Sequence, residues 1–392
     1  MDDTVAMHAA IICAHSVEGR TAPRPPVGAV VVRDGRIVGK GATSPPYGPH
    51  AEIHALNAAG ELARGADLYV TLEPCCVTIH TPPCTRAIIQ AGLRRVIVGS
   101  LDPNPRVYAQ GISQLREAGI EVTPGVGAAE TDEIVRPFAT FIKKGRPYVT
   151  AKWAMTLDGK LATHTGDAYW ISGPESRLWV HRLRDRVDAI LVGAGTVRAD
   201  DPLLTVRLTP DPSQEQPHDY TRSPRPGPLR VVLTTQGALP AASKLLQPDL
   251  APGTCIMVGE HCPDEQRQWL RSTGAEVIAI AVDAAGKLDF ASVLHALGQK
   301  GIMHLLIEGG SSILGSAFDQ SYIDHIAVFI APKLIGGGAA PSPLGGVGLQ
   351  TMQAARQLQH IRTTAFGGDI LIEGEIIYPY DSIEENIYET TT

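Results

Sequence analysis

Three of the chain's six cysteines lie within residues 73–84, EPCCVTIHTPPC, and an upstream HAE segment, residues 50–52, adds a histidine and a carboxylate. Thiolate sulfur and imidazole nitrogen are atoms that Zn²⁺ prefers as ligands. With His50, Cys75 and Cys84 as ligands, a tetrahedral ion keeps its fourth position for water, as in catalytic rather than structural zinc sites. Zinc lowers the pKa of such a water to about 7, which supplies hydroxide at neutral pH.

Glu52 lies two residues after His50 and can project beside the metal without binding it. In that position a carboxylate takes a proton from the water and delivers it to the substrate. The order H-x-E, then P-C, then a further cysteine is the signature of zinc nucleoside and base deaminases, in which hydroxide attacks an amidine carbon and ammonia leaves. The sequence therefore predicts a hydrolytic deaminase with Glu52 as its catalytic residue.

The same stretch also allows a closed, structural zinc site in which Cys76 or His80 is the fourth ligand. Adjacent cysteines rarely both face one ion, and a closed site would leave Glu52 without a task. The pattern therefore favours the catalytic arrangement. Cys76 is then expected in the pocket wall, and neither Cys76 nor His80 is expected to bind the metal.

Alternating helices and strands place these residues in an α/β fold. Helical periodicity over residues 5–16 precedes a β-hairpin that turns at Asp34-Gly35. A helix that begins near His50, a strand that stops at Pro74 and a helix that begins near Cys84 bring the three ligands to the ends of elements. A further strand, helix and strand follow.

The pattern restarts near Gly145 with the strand PYVTAKWAMTLDG, so we predict two domains, 1–145 and 146–380, and a polar tail, 381–392. A helix over residues 174–187 and a strand over residues 188–197 come next. Five further strands, LRVVLTT, TCIMVGE, EVIAIAV, HLLIEGG and HIAVFIAPKLIGG, are mostly continuous apolar runs, typical of a sheet buried on both faces. The polar segment 208–228 is predicted to be a surface loop.

The composition favours small-molecule chemistry. The chain has 392 residues, a formal net charge of −7 and 44% hydrophobic residues, and no run of Lys or Arg that could follow a phosphate backbone. A nucleic-acid-editing deaminase is therefore disfavoured, although it shares the zinc signature. The N-terminus lacks the features of a secretion signal, and no stretch of about 18 apolar residues occurs, so we expect a cytoplasmic protein without a membrane span.

Eight residues separate Cys75 from Cys84, whereas the usual deaminase spacing is Cys-x-x-Cys. This insert, with TPPC and DPNP in the first half and AMTLDGKLA, VGAGTVRADDPLLTVR, IEGGSSILGS and APKLIGG in the second, resembles the bifunctional riboflavin-biosynthesis deaminase/reductase family. The resemblance implies a cytidine-deaminase-like three-layer domain followed by a dihydrofolate-reductase-like α/β domain. It also implies zinc-dependent deamination of a 2,5-diamino-6-(5-phosphoribosylamino)pyrimidin-4-one and then NADPH-dependent reduction of the ribosyl group to ribityl.

The turn EGGSSILGS leads from a strand into a helix, and its glycines let backbone amides approach a phosphate at the helix N-terminus. The resemblance implies NADPH contacts from Ala154, Trp170, Thr196, Asp200, Gly309, Gly310, Ser311, Ser312 and Gly315. It implies substrate contacts from Arg184, Leu204, Arg207 and Glu308. Hydride transfer is the chemistry of the cofactor, so the protein mainly has to position the two partners.

Several positions depart from the pattern of the family. Arg24 stands where the family commonly has an asparagine, and Thr43 where it has a histidine. In the insert, the run 76–80, CVTIH, stands in place of a run with a histidine, a glycine and a cation. In the second half, Ala168 replaces a serine and Thr234 an aspartate. The changes in the first half remove polar contacts from the deaminase pocket, and unmet polar groups of a buried ligand cost about 1 to 3 kcal/mol each.

Three interpretations are open at this point. The first is a riboflavin-pathway enzyme that acts on a phosphorylated pyrimidine. The second is a paralogue with the same architecture, whose altered pocket takes a different pyrimidine or a pterin-like compound. The third is a binding protein without catalysis, and the intact set of His50, Glu52, Cys75 and Cys84 argues against it. Reductases of this kind often pair through their sheets, so we also expect a homo-oligomer.

Overall fold

The computed structural model describes residues 1–78, 82–208 and 227–378. These residues form two compact units, one made of Met1–Pro147 with Leu297–Met303 and the other of the remainder. The second unit begins at Tyr148, two residues after the start of the predicted second domain. His80, the predicted tail 381–392 and most of the predicted 208–228 loop lie outside the described residues. Within the described ranges, no helix is both long and apolar enough to cross a membrane.

The first unit alternates helices with strands, as the sequence pattern predicts. Its helices are α1 (Asp3–His15), α2 (Ala51–Ala59), α3 (Cys84–Ala91), α4 (Gln110–Glu117) and α5 (Ala128–Lys144). Its strands are β1 (Gly28–Arg33), β2 (Arg36–Ala42), β3 (Asp67–Leu72), β4 (Arg95–Ser100) and β5 (Glu121–Pro124). The predicted hairpin at Asp34-Gly35 joins β1 to β2, whereas α5 was not predicted.

The sheet of the first unit has the strand order β2-β1-β3-β4-β5, in which β1 is antiparallel to both neighbours and β3, β4 and β5 are parallel. Successive side chains of a strand point to opposite faces. Ala29 and Val31 of β1 accordingly join one buried cluster and Val30 and Val32 another. Helices α2, α3 and α4 contribute to the first cluster, α1 to the second and α5 to both. The unit is therefore a three-layer α/β/α arrangement.

The second unit is built on a larger, mostly parallel sheet. Its helices are α6 (Pro174–Arg184), α7 (Ala194–Asp200), α8 (Asp264–Ser272), α9 (Phe290–Gln299) and α10 (Ser311–Asp319), of which α9 has its last three residues in the first unit. Its strands are β6 (Tyr148–Thr156), β7 (Ala189–Gly193), β8 (Leu229–Thr234), β9 (Thr254–Gly259), β10 (Glu276–Ile280), β11 (His304–Ile307), β12 (His325–Ala331), β13 (Gln357–Phe366) and β14 (Asp369–Ile377).

The strand order of this sheet is β10-β9-β8-β7-β11-β6-β12-β14-β13. All neighbours from β10 to β12 are parallel, and β14 and β13 complete the sheet as antiparallel strands. Every residue of β7 and of β9 is buried, as expected for a parallel sheet that is covered on both faces. The apolar runs thus predicted the central strands correctly.

The structure differs from the sequence prediction at two places in this unit. The predicted strand 188–197 is wrong in its second half, because β7 ends at Gly193 and α7 follows directly. Val197 is as buried as the strand residues, so the apolar pattern alone does not separate strand from helix. Strands β13 and β14 were not predicted, and the side chains of β13 are mostly exposed, which removes the apolar alternation that identifies a strand.

Candidate functional site

His50, Cys75 and Cys84 lie together at one edge of the first unit. Their ligand atoms all lie within 4.8 Å of one another, and they form the one such cluster of metal-ligating side chains among the described residues. His50 Nδ1 is 3.5 Å from Cys75 Sγ and 3.2 Å from Cys84 Sγ. Tetrahedral zinc, with Zn–S bonds of about 2.3 Å and Zn–N bonds of about 2.0 Å, separates its ligand atoms by roughly 3.5 Å. The donor set and its spacing therefore fit zinc.

The local backbone explains why these three side chains meet. His50 immediately precedes α2, Cys75 follows the end of β3, and Cys84 is the first residue of α3. The Cys84 amide donates to Cys75 Sγ at 3.3 Å, and the Thr85 amide donates to the Cys75 carbonyl at 3.2 Å. The first amides of α3 thus hold both the sulfur and the backbone of Cys75, and a helix N-terminus stabilises a nearby negative charge.

The two thiols differ in acidity. Hydrogen bonds from the Cys84 side chain and from His50 lower the pKa of the Cys75 thiol. The hydrogen bond to Cys75, burial and the charge of Glu52 raise the pKa of the Cys84 thiol. Both sulfur atoms must be thiolates to bind zinc, and a bound metal cation stabilises the deprotonated form of both cysteines.

Glu52 lies in the first turn of α2 and is 3% exposed. Burial, together with the negative charge of Cys75, raises the pKa of its carboxyl group. A carboxyl group with a raised pKa binds and releases a proton nearer to neutral pH. The environment of Glu52 is thus suited to proton transfer, as its sequence position predicts.

Two further acidic residues, Glu73 and Asp102, lie close to the metal-ligand cluster, and the sequence analysis predicted no role for either. Glu73, which precedes Pro74 and Cys75, is 3% exposed. Asp102 follows β4, and burial and the charge of Glu73 raise the pKa of its carboxyl group to about 6. The Asp102 carboxylate accepts a hydrogen bond from the Asn104 amide at 2.8 Å, two residues later, whereas the partners of the Glu73 carboxylate lie 29 to 39 residues later in the chain.

The positions that depart from the family pattern have varied surroundings. Arg24 Nη1 donates to the carbonyl oxygens of Gly48, at 2.9 Å, and Pro45, at 3.3 Å, in the loop that leads to His50. Thr43 is buried, and its hydroxyl accepts a hydrogen bond from the Val27 amide at 3.2 Å. Thr43 therefore has a backbone partner rather than a free polar group.

Cys76 lies outside the group of three ligand atoms, and its Sγ is 3.9 Å from the Arg106 carbonyl oxygen. Burial raises the pKa of its thiol. Cys76 is thus not among the clustered ligand atoms, and its place in the pocket wall stays a prediction. The same expectation for His80 concerns a residue outside the described ranges.

In the second unit, Arg184 and Glu308 contact each other. Arg184 Nε and Nη2 donate to the two carboxylate oxygens of Glu308, each at 2.6 Å, and Nη1 donates to the Thr205 carbonyl at 3.1 Å. Both side chains are largely buried. The family resemblance implies that Arg184 and Glu308 each contact the substrate, and this stays a prediction. In the structure, their hydrogen bonds are to each other and, for Arg184, to the Thr205 carbonyl.

The glycine-rich turn connects β11 to α10. Gly309 and Gly310 have φ values of 111° and 83°, which only glycine adopts without strain. Ser311 and Ser312 form the start of α10, and the Ser311 hydroxyl donates to the Ser342 carbonyl at 2.7 Å. A Cβ atom at Gly315 would lie 2.0 Å from the Gly345 carbonyl oxygen. The turn keeps free backbone amides at a helix start, whereas Gly315 is needed for close packing.

The residues predicted to surround this turn lie on neighbouring elements. Thr196 is in α7, and its Oγ1 would be 3.4 Å from a Cβ atom at Gly310. Asp200 ends α7, and burial raises the pKa of its carboxyl group. Leu204 is buried. Arg207 is exposed, and its Nη1 donates to Thr205 Oγ1 at 3.0 Å.

Ala154 and Trp170 were also predicted to contact the cofactor. Ala154 lies in β6 and is half-buried. Trp170 is 52% exposed, the Arg177 guanidinium lies 4.4 Å from the centre of its ring, and Lys333 Nζ donates to its carbonyl at 2.5 Å. The Trp170 ring and the side chains of Arg177 and Lys333 together form an accessible surface, and such a surface can bind a flat or anionic group.

Comparison with known families agrees with this division of chemistry. Residues 1–100 match the cytidine and deoxycytidylate deaminase zinc-binding region. Residues 147–372 match the RibD C-terminal domain. The predicted order of a deaminase-type domain and a reductase-type domain is confirmed.

The chain is also similar to proteins along nearly its whole length. It is 41% identical to the riboflavin biosynthesis protein RibD of Aquifex aeolicus over 93% of this chain and 96% of that protein. It is 42% identical to the protein of the same name from Bacillus amyloliquefaciens, over 93% and 94%. These similarities favour the riboflavin-pathway interpretation over a paralogue or a binding protein without catalysis.

Solved structures of RibD proteins are also similar to this chain. Acinetobacter baumannii RibD matches with a TM-score of 0.81 and 31% identity, over 96% of this chain and 99% of that one. A diaminohydroxyphosphoribosylaminopyrimidine deaminase/5-amino-6-(5-phosphoribosylamino)uracil reductase from Thermotoga maritima matches with a TM-score of 0.78 and 33% identity, over the same shares. With its clustered histidine and cysteines, its two units and its full-length relatives, the chain belongs to the RibD family of riboflavin biosynthesis proteins.

Proposed function

We propose that the chain catalyses two consecutive reactions of riboflavin biosynthesis, a zinc-dependent deamination in its first unit and an NADPH-dependent reduction in its second. The substrate of the first reaction is a 2,5-diamino-6-(5-phosphoribosylamino)pyrimidin-4-one, the compound class that the name of the Thermotoga maritima relative gives for that protein. The observation that carries the proposal is the cluster of His50, Cys75 and Cys84 beside the buried carboxyl group of Glu52.

In the deaminase site, His50, Cys75 and Cys84 would hold zinc through one nitrogen and two sulfur atoms. Zinc in such a site lowers the pKa of a water molecule to about 7. Three protein ligands leave room for that water, which a fourth ligand such as Cys76 would exclude. The distance of the Cys76 side chain from the ligand group therefore supports a catalytic rather than a structural site.

Glu52 transfers the protons of the deamination. It accepts a proton from the attacking water while a carbon–oxygen bond forms at the amidine carbon of the pyrimidine. It delivers that proton to the ring nitrogen of the amidine, and then moves the second proton, from the added hydroxyl group to the amino group, which leaves as ammonia while the carbon–nitrogen bond breaks and the carbonyl forms. Burial of Glu52 supports this role, because its raised pKa brings the two protonation states closer in free energy at neutral pH.

In the reductase site, conversion of ribosyl to ribityl requires a hydride at C1′, which NADPH supplies, and a proton at the ring oxygen. The positive-φ turn at Gly309 and Gly310 and the first amides of α10 offer a surface to which a cofactor phosphate can bind. Thr196 lies beside this turn. The buried pair of Arg184 and Glu308 lies at the end of α6 and of β11, and we place the substrate next to it.

Purified, zinc-loaded protein tests the proposal. With the diamino-hydroxy-pyrimidine ribosyl phosphate as substrate, we expect ammonia release first and NADPH oxidation only after it. Absence of both reactions in protein with one zinc per chain would disprove the assignment. NADPH oxidation without prior ammonia release would reverse the proposed order of the two steps.

The proposal includes a homo-oligomer and a cytoplasmic location, as the sequence predicts. The sheet of the second unit ends in β13, whose side chains are mostly exposed, and an edge strand offers unpaired backbone groups to another chain. This edge supports pairing through the reductase sheets. Light scattering after gel filtration measures the mass of the assembly, and a monomer at micromolar concentration would contradict the pairing.

A further inference from the structure

Glu73 is a buried carboxylate that the proton transfers of the deamination do not use. It is the first residue after β3, and its amide donates to the carbonyl of Ser100 at 2.9 Å. Its side chain has no access to bulk water, being 3% exposed as a residue. A buried carboxylate costs free energy unless hydrogen bonds satisfy it, so its partners show what it does.

Those partners are four backbone amides from one segment, residues 102–112. Glu73 Oε2 accepts from Asp102, at 3.3 Å, and from Ala109, at 3.0 Å. Glu73 Oε1 accepts from Gly111, at 2.9 Å, and from Ile112, at 3.3 Å. One side chain therefore fixes both ends of the connection between β4 and the first turn of α4.

Helix α4 depends on this carboxylate for its N-terminal cap. The first amides of a helix have no partner within the helix, and the residue before α4 is Ala109, which has no side-chain acceptor and a φ of 58°. Glu73, from a different element, supplies the missing acceptor, and its negative charge faces the positive end of the helix.

The same contact brings α4 directly against the metal-binding stretch. A Cβ atom at Gly111 would lie 2.2 Å from the carbonyl oxygen of Pro74, so glycine is required there. In α4, Gln114 accepts a hydrogen bond of 3.0 Å from the hydroxyl of Thr85, the residue after Cys84. The helix therefore contacts residues next to both cysteine ligands.

The connection before α4 lies along the same side of the cluster. The carbonyl oxygen of Arg106 is 3.9 Å from Cys76 Sγ, and Asp102 is buried beside Glu73. Residues 102–109 thus form a wall next to Cys76, and Glu73 holds this wall at its two ends.

We infer that Glu73 is a positioning residue for the deaminase reaction: by fixing residues 102–112 against the segment that carries Cys75, it sets the wall that orients the pyrimidine toward Glu52. The inference rests on the proposed deaminase function. It deepens that function by assigning part of substrate orientation to a residue that contacts neither the metal nor the substrate.

Glu73→Gln tests the inference with minimal change in shape. The amide keeps one acceptor oxygen but turns an NH₂ group toward two backbone N–H donors. We expect kcat/KM for ammonia release to fall about 10- to 100-fold, because buried donors that lose their acceptor destabilise the oriented wall. Zinc content should stay at one per chain, and NADPH oxidation by the second unit should not change.

The matched control is Glu121→Gln, which removes the same charge from an exposed position on β5 and should leave kcat/KM unchanged. Glu73→Asp keeps the charge and the acceptors but is one methylene shorter, so we expect a smaller loss than with glutamine. This second variant also decides the question if Glu73→Gln does not fold.

The outcomes separate the inference from the function on which it rests. If wild-type protein releases no ammonia, the proposed function fails. If wild-type protein is active and both Glu73 variants keep its kcat/KM while only their melting temperature falls, Glu73 is merely structural and the inference is wrong. Loss of zinc in parallel with activity would also overturn it, because Glu73 would then act through the metal ligands.

Discussion

Arg184 and Glu308, which are 124 residues apart in sequence, form two parallel hydrogen bonds of 2.6 Å. Their side chains are 12% and 8% exposed, so the pair is almost removed from water. A paired geometry with two bonds is the strongest arrangement available to a guanidinium and a carboxylate. The pair joins the end of α6 to the end of β11, next to the glycine-rich turn. It therefore fixes the position of the two elements beside which we place the reductase substrate.

Removal of one partner should be more harmful than removal of both. We expect Arg184→Ala to lower the free energy of unfolding by about 3 to 5 kcal/mol, because the buried Glu308 carboxylate loses both hydrogen bonds of its guanidinium partner. The double variant Arg184→Met/Glu308→Leu should lose less free energy of unfolding than Arg184→Ala alone. Denaturant titration measures these effects, with Arg182→Ala, an exposed neighbour on α6, as control. Equal stability of Arg184→Ala and Arg182→Ala would contradict the prediction.

Glu52→Gln should stop the deamination without removing the metal. The amide cannot accept the proton of the attacking water, so ammonia release should fall about 100- to 10,000-fold. Zinc content, measured by atomic emission, should remain one per chain, because the three ligands are untouched. Glu61→Gln changes an exposed glutamate just after α2 and should behave like wild type. Loss of zinc from Glu52→Gln would mean that Glu52 is a ligand.

The two adjacent cysteines allow a direct comparison of ligand and non-ligand. Cys75→Ser should remove zinc and ammonia release together, since a serine hydroxyl replaces the thiolate with the lowered pKa. Cys76→Ser changes the next residue in the same way and should keep both. NADPH oxidation with the pre-formed deamination product should persist in both variants. Zinc loss from Cys76→Ser would instead support the closed, four-ligand site.

Gly315 should tolerate no side chain. Its Cβ atom would lie 2.0 Å from the Gly345 carbonyl oxygen, so Gly315→Ala should push residues 342–346 away from α10 and raise KM for NADPH. We expect a loss of about 1 to 3 kcal/mol in unfolding free energy from the forced backbone shift. Gly195→Ala, a helical glycine with open space around its Cβ position, is the matched control for stability. A normal KM and melting temperature for Gly315→Ala would refute this account.

Side-chain chemistry explains why the metal ligands were the most predictable part of the site. His50, Cys75 and Cys84 sit at the ends of elements whose periodicity is strong, and the types of their side chains already indicate zinc. The role of Glu73 was not predictable in this way. Its four partners lie 29 to 39 residues later in the chain, and all of them are backbone amides, which carry no signal in the sequence.

The second unit shows the same limit. Its central strands are continuous apolar runs and were predicted, whereas β13 has an exposed, irregular pattern and was not. The bond between Arg184 and Glu308 depends on the packing of α6 against a strand formed more than a hundred residues later. The family resemblance identified both residues but described them as separate contacts, because a resemblance transfers residue types and not their partners.

The amides of Cys84 and Thr85 hold the sulfur and the carbonyl of Cys75, so the two ends of the stretch 76–83 are tied together independently of what lies between them. Substitutions between Cys75 and Cys84 can therefore accumulate in evolution while the metal ligands stay in place. The run CVTIH, residues 76–80, which departs from the family pattern, is a change of this kind. The same tie would let residues 76–80 be randomised with the zinc ligands in place, and ammonia release from different pyrimidines would then measure what this run contributes to substrate choice.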